Sequence, residues 1–340
     1  MSNENQHWVP KFLIRNFADA DGRVFCLDIH TDKISKLPPK RAASGIDFNE
    51  FLIDGETISF ENDLEKIETQ AAPVLKQILR SCSVAGLTGE KRKRVARFMA
   101  AQSFRTEAFY RGMDLQVSRE QFGHIFAQLW RSAFLVSDEV ERRKWVVMTI
   151  KTDDVFYLGD NPVVLQRTEN PSDGVGLGFD IEGVEAFLPL SPKCALWMPC
   201  TSTSEQLISG YENALSMHRQ IRSAALTGST LPGTNSDTLH LTQRVLRNAF
   251  DLYEALTKGI AINAISENIE NLNYLESSWA HSAIYSNRGD FSFARRMFQK
   301  SPQYRESPRT SLGIANTPGT IAAYLGANWV PIDRVTGRRK

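Results

Sequence analysis

The sequence lacks the cysteine and histidine patterns that mark metal and redox sites. Its four cysteines, Cys26, Cys82, Cys194 and Cys200, form no C-x-x-C pair, which argues against a zinc ribbon or a thioredoxin-like site. A chain of 340 residues needs no disulfide staples, so reduced and mostly buried thiols are expected. The six histidines include no H-E-x-x-H, no H-x-H and no i, i+4 pair. A metal site would have to assemble from distant segments, so a divalent metal stays open as a cofactor and no ligand is assigned to it. Also missing are G-x-x-x-x-G-K-[ST], G-x-G-x-x-G and G-x-S-x-G, which lowers nucleotide kinases, dinucleotide-binding enzymes and α/β-hydrolases in the ranking. No convincing PD-(D/E)xK core is present. No apolar run approaches the roughly 18 residues of a membrane helix, and the polar opening MSNENQHWVP is unlike a signal peptide. A cytoplasmic protein with no membrane partner is expected.

What is present is ordinary for a globular chain: 42% hydrophobic and 23% charged residues, with 40 basic side chains against 39 acidic ones. These values exclude wholesale disorder, collagen and coiled coil. The charge is uneven, because the segment from Arg288 onward carries +7 and the remainder −6. Such a segment is either a footprint for nucleic acid or a solvated tail. A second basic cluster, Lys91, Arg92, Lys93, Arg94 and Arg97, reads as the solvent face of a helix.

Periodicity gives the order of elements. Arg23 to Ile34 alternates as a strand or hairpin, ended by Pro38-Pro39. Asn62, with Glu65 as a capping-box partner, opens a helix on Leu64, Ile67, Ala71, Val74 and Ile78, and Pro73 predicts a kink or break within it. Thr88 caps a helix through RKRVARFMAAQSFRTEAF, and another amphipathic helix covers Glu120 to Phe134. From Trp145 the period shortens: WVVMTI, VFYL, VVLQ, Val184 to Leu190 and Ala195 to Met198 read as strands. Helices return over Ser204 to Ala225 and from about Gln243 to Tyr285, broken near Ser266. The fold expected is α+β, with a short N-terminal β segment, a helical first half, a central mainly antiparallel sheet and C-terminal helices. It forms one large domain over 1–298, with a sub-boundary near 143, followed by a basic, partly ordered tail over 299–340.

Three places could carry chemistry. Phe98, Gln102, Arg105 and Phe109 share a helical face, and a guanidinium on an apolar stripe must meet a carboxylate or an anionic ligand. Gly159-Asp160-Asn161-Pro162 is a turn between apolar runs, where Asp160 is either a general base, a metal ligand or partner of Arg105, or a local turn former. His7, in Gln6-His7-Trp8-Val9-Pro10, either docks at a site or caps a docked terminus. Asn271 and Asn273 open the last helical stretch, which continues to Trp279, His281 and Ser286.

In their order these residues resemble family four-two-three-eight of the domain-of-unknown-function series, mostly bacterial and fungal. The match rests on QHWVPKFLIRNFAD from Gln6 to Asp19, on GRVFCLD and DLEKIETQAAPVLKQIL, and on the F-x-x-x-Q-x-x-R-T element of Phe98, Gln102, Arg105 and Thr106. It continues through GDNPV at Gly159 to Val163 and PLSP at Pro189 to Pro192 to Leu272, Asn273, Ala280 and Ser286. Trp8 stands where the family often has Tyr, and Gly159 where it has Ser, so no hydroxyl role carries over to that position. The site that the resemblance implies is His7, Gln102, Arg105, Asp160, Asn161 and Asn273. Two functions follow. The first is an enzyme of the hydrolase or nuclease kind acting on nucleic acid or another phosphate-containing substrate, with His7, Arg105 and Asp160 catalytic and Gln102, Asn161 and Asn273 binding. A bacterial defence setting would suit it. The second is a non-catalytic binding or regulatory protein in which Arg105 and Asp160 form a structural ion pair.

Overall fold

The computed structural model describes residues 5–114, 118–167, 177–227 and 236–306. The chain opens with β1 (Asn5–His7), α1 (Lys11–Arg15), β2 (Val24–Asp28), β3 (Ile34–Leu37), β4 (Ser44–Ile46), β5 (Glu50–Ile53) and β6 (Glu56–Ser59). Four helices follow: α2 (Glu61–Ser81), α3 (Gly89–Phe104), α4 (Glu107–Asp114) and α5 (Arg119–Arg142). Next come β7 (Val146–Thr149), β8 (Leu158–Gly159), β9 (Val164–Arg167), β10 (Val184–Ser191) and β11 (Cys194–Met198). The last part contains α6 (Thr201–Leu226), α7 (Ser236–Lys258), β12 (Ile262–Asn263), α8 (Ser266–Trp279), β13 (Ala283–Ser286), α9 (Ser292–Lys300) and α10 (Gln303–Glu306). The α+β class is as expected. No helix among the described residues is long and apolar enough to cross a membrane.

Two sheets organise the molecule. A five-stranded sheet runs β12-β7-β11-β10-β9, antiparallel except for the parallel β12–β7 pair. Its inner strands are apolar on both faces because both faces are covered, and β10 is buried from Val184 to Leu190. A four-stranded antiparallel sheet runs β3-β2-β13-β8 and joins the start of the chain to its late segment. One apolar cluster reaches from Val9 to Tyr285, with residues from either side of position 143 in it.

Several expectations are corrected. Pro73 does not break α2, which continues to Ser81 because Ala71, Val74, Leu75 and Ile78 bury one face against the core. That helix begins at Glu61, behind Phe60, with no side-chain cap from Asn62. The long helix expected after Thr88 ends at Phe104: Arg105 leaves helical geometry (φ −100, ψ 59), and Thr106 restarts the chain as α4 by accepting from the Phe109 amide at 3.2 Å. VFYL and VVLQ lie in different sheets, so the Asp160 turn between them is a crossing from the edge strand of one sheet to the edge strand of the other. The stretch 280–286, expected as helix, contains the central strand β13, since α8 stops at Trp279. Of the basic cluster on α3, Lys93, Arg94 and Arg97 face solvent. Arg92 is drawn inward, stacks on Trp145 at 4.3 Å and donates to the carbonyls of Glu141 and Arg143. Residues 307–340, most of the basic tail, lie outside the described residues.

The β5–β6 hairpin lies against α5, where Phe51, Phe60, Phe122, Phe126 and Trp130 interleave. Gly123 permits this contact, because a Cβ there would overlap the Leu52 carbonyl oxygen. Gly123→Ala is expected to lower stability by about 1–3 kcal/mol in chemical denaturation, and an unchanged midpoint would refute this packing.

Candidate functional site

The amino terminus is held by polar side chains buried beneath it. β1 pairs with β4, and the Gln6 carbonyl Oε1 accepts from the Asn49 amide at 2.6 Å. Asn49, fully buried, donates to Glu61 at 2.6 Å and accepts from the Tyr110 hydroxyl at 3.5 Å. Gln102 donates to the Trp8 carbonyl at 2.6 Å and accepts from Arg105 at 3.2 Å. Arg105 is 2% exposed, and its other terminal nitrogen donates to Glu68 at 2.6 Å. Its carboxylate partner is thus Glu68 of α2 and not Asp160, which corrects the ion pair expected from the sequence. His7 is half-buried. Burial holds its pKa below the usual value, the Lys11 and Arg105 cations push the same way, and backbone hydrogen bonding at Pro39 and Lys40 acts against them. Its Nε2 is buried without a hydrogen-bond partner.

A second network surrounds Asp160, which is 1% exposed. Oδ1 accepts from the His281 amide at 2.7 Å, and Oδ2 accepts from the Ser282 and Ala283 amides at 2.7 and 3.0 Å. Burial pushes its pKa up to about 7 against those three amides, with the Glu107 charge adding to the rise. Asn161 beside it is buried. Asn273 clamps the extended segment before β8, accepting from the Tyr157 amide at 2.8 Å and donating to the Val155 carbonyl at 2.9 Å. One turn further along α8, Glu276 is fully buried and accepts from the Gly159 amide at 2.6 Å, while its Oε1 has no partner. Burial raises its pKa well above the usual range, and Asp160 adds to this. Gly159 is required by the close approach of α8: a Cβ would lie 2.8 Å from the Glu276 carbonyl oxygen and 3.1 Å from its carboxylate.

The sequence-derived residues therefore fall into two groups, His7, Gln102 and Arg105 in one, and Asp160, Asn161 and Asn273 in the other. Glu107, directly after Arg105-Thr106, connects them by accepting from the Ser282 hydroxyl at 3.2 Å. Beside Glu107 opens a cavity of about 510 Å³ lined by Trp8, Phe48, Phe51, Tyr110 and Phe122, with Ser44 to Ile46 and the carboxylates of Glu50 and Glu107. Its rings are in mutual contact, Trp8 with Phe48 at 4.8 Å and Phe48 stacked on Tyr110 at 4.6 Å. Among the described residues no lysine or arginine lines it. None of the six residues singled out from the sequence lines it either, although Trp8 follows His7 directly. Among the described residues no group of three or more His, Cys, Asp or Glu side chains could hold a metal ion.

Sequence reasoning missed Glu68, Glu276, Asn49 and Glu107. Two of these carried a usable signal: Glu68 interrupts the apolar face of Leu64, Ala71 and Leu75, and Glu276 lies three residues after Asn273 on the face of Leu272 and Trp279. Where described, the basic C-terminal segment is docked, with Arg295 and Arg305 both paired to Asp32 at 3.1 and 3.2 Å.

A family model described as "Protein of unknown function (DUF4238)" matches residues 5–124 and 112–290. No curated protein and no solved structure matches the chain.

The two raised carboxyls make stability depend on pH with a definite sign. For Asp160 the bound proton contributes stability that is complete below the ordinary value of 3.8 and lost as pH rises through about 7. Glu276 acts in the same direction, starting from 4.5. The melting temperature is expected to fall by several degrees from about pH 5 to about pH 8. Glu276→Gln, which can keep the bond to Gly159 without a titrating proton, should flatten that fall. A melting temperature that rises over this range, or a slope the variant leaves unaltered, would contradict the assignment.

Proposed function

The chain belongs to the DUF4238 family, and from that premise we propose that it is a non-catalytic binding protein whose pocket takes a cationic group such as an alkylammonium. The observation that carries this reading is the lining: five aromatic side chains and two carboxylates, with no basic side chain among the described residues. Ring faces attract cations through their quadrupoles, each contributing about 0.5–2 kcal/mol depending on desolvation. Glu50 and Glu107 add charge of the sign that attracts a cation and repels phosphate. The motif residues support the same reading. Arg105 already meets Glu68 and Gln102, and Asp160 meets three backbone amides. A group held this way orders the chain around it and has few bonds left for a substrate.

A second reading, a cytoplasmic enzyme acting on nucleic acid or another phosphate-containing substrate, in a defence setting or elsewhere, rests on His7. Its imidazole is neutral near pH 7 and keeps an unpartnered Nε2, as a general base requires. The basic segment from Arg288 would then supply affinity for phosphate.

Calorimetric titration separates the two. Tetramethylammonium and trimethyl-lysine should bind the wild type. Glu107→Gln and Phe48→Ala should each weaken binding by about tenfold, equivalent to about 1.4 kcal/mol, with melting temperatures near wild type. Absence of binding by either ammonium probe would sink the proposal, and binding of inorganic phosphate lost in His7→Ala would put the second reading in its place.

A further inference from the structure

Among the described residues β4 pairs with β1 alone, and all three residues of β4 line the cation pocket, which opens between β4 and β5. Trp8 and Ala43 continue the ladder one step beyond His7 and Ser44, with the Trp8 amide donating to the Ala43 carbonyl at 3.0 Å. Bonded positions alternate in an antiparallel pair, so Gly45 turns its amide and carbonyl towards Gln6, and those of Ser44 and Ile46 point away from β1. Among the described residues no group bonds to these four. The pocket is thus bordered by an open strand edge.

The two faces of β4 differ. Gly45 belongs to the face that the rings cover: a Cβ there would lie 3.4 Å from the Trp8 indole and 3.9 Å from the Phe48 ring. Ser44 and Ile46 project from the other face, where the Ser44 hydroxyl accepts from Asn5 and Ile46 is 59% exposed. A strand added along the outer edge of β4 would place the residue opposite Gly45 on the ring side, and its two neighbours beside Ser44 and Ile46. Because position 45 has no side chain, that ring-side residue meets no cross-strand neighbour before it reaches Trp8 and Phe48.

We infer that the pocket's occupant is a methylated lysine side chain of a polypeptide that adds to β4 as a third strand. The inference rests on the reading of the pocket as a cation site, and it names the kind of molecule that brings the cation. Glu50 and Glu107 select the charge, the rings receive the methylene stem and the ammonium, and Ser44 and Ile46 bond the backbone beside the lysine. Ile46 favours an apolar residue next to the lysine, as its cross-strand neighbour. Three residues of strand are too few to hold a partner by backbone bonds alone, which makes the side chain in the pocket a necessary part of the contact. A free ammonium compound, by contrast, would fill the pocket and leave the edge to water.

Calorimetry on the full chain tests it with tetramethylammonium, with butyltrimethylammonium, which is the side chain without a backbone, and with a short peptide of valine, serine and threonine around a central trimethyl-lysine. The peptide should bind about tenfold or more tighter than butyltrimethylammonium. Methylating alternate backbone nitrogens of the peptide should remove that advantage in one phase and spare it in the other, since only one phase faces β4. Ile46→Pro, which deletes an outward amide and keeps the bonds between Gly45 and Gln6, should reduce the advantage about threefold to tenfold. A peptide no tighter than butyltrimethylammonium, or an advantage indifferent to the phase of methylation, would overturn the inference and leave the cation site standing. Failure of both ammonium compounds to bind would remove the cation site and this inference with it.

Discussion

The carboxylate of Asp160 bonds to three consecutive backbone amides that no strand partner could serve together, and much of the molecule is arranged around that contact. The amides belong to residues 281–283, where the chain leaves α8 and enters β13, the strand between β2 and β8. Segments more than a hundred residues apart are set in register there. Asn273 and Glu276 act on the same stretch from α8 and hold the backbone from Val155 to Gly159 against the helix. At the other end of the network, Gln102 fastens the Trp8 carbonyl and Gln6 the Asn49 amide, so that the amino terminus is fixed by the helical half.

Burying these groups is expensive, and the manner of compensation shows what they do. A buried guanidinium whose partner is removed costs about 3–5 kcal/mol, and Arg105 and Arg143 are both nearly inaccessible. Arg143 is matched chiefly by backbone carbonyls, those of Val184, Met198 and Phe179. Each of these cations thus ties one secondary-structure element to another. Such networks discriminate among arrangements of a core more sharply than apolar packing does, because a misplaced polar group loses its bonds as well as its contacts. On this view the motifs that run from Gln6 to Ser286 describe an architecture, and the aromatic pocket beside Glu107 is what the architecture holds open.

The order of elements was legible because period and punctuation are local properties. The hairpin at Arg23, the cap at Thr88 and the strands after Trp145 needed only neighbouring residues to be read. What escaped depended on distant partners. Pro73 reads as a breaker until the apolar face of α2 has something to pack against, and Arg105 reads as mid-helix because nothing local shows that Thr106 will start a new helix. The segment from Ala283 to Ser286 has helical neighbours on both sides, and only pairing with β2 and β8 makes it a strand. For Arg105, the need for a carboxylate was legible and the partner was not: Glu68 provides it from a helix whose face was read only for its apolar positions. The pocket was invisible in the sequence, since Trp8, Phe48 and Tyr110 are ordinary aromatics until β1, β4 and α4 bring them together.

The most direct test of this account is amide hydrogen exchange at residues 281–283 in the wild type and in Asp160→Ala. If Asp160 holds the entry to β13, these amides exchange only through global unfolding in the wild type and lose most of that protection in the variant, together with the β13 amides bonded to β2. Protection at 281–283 that persists in a folded Asp160→Ala protein would show that the strand is seated without the carboxylate, and that Asp160 is buried for some purpose other than architecture.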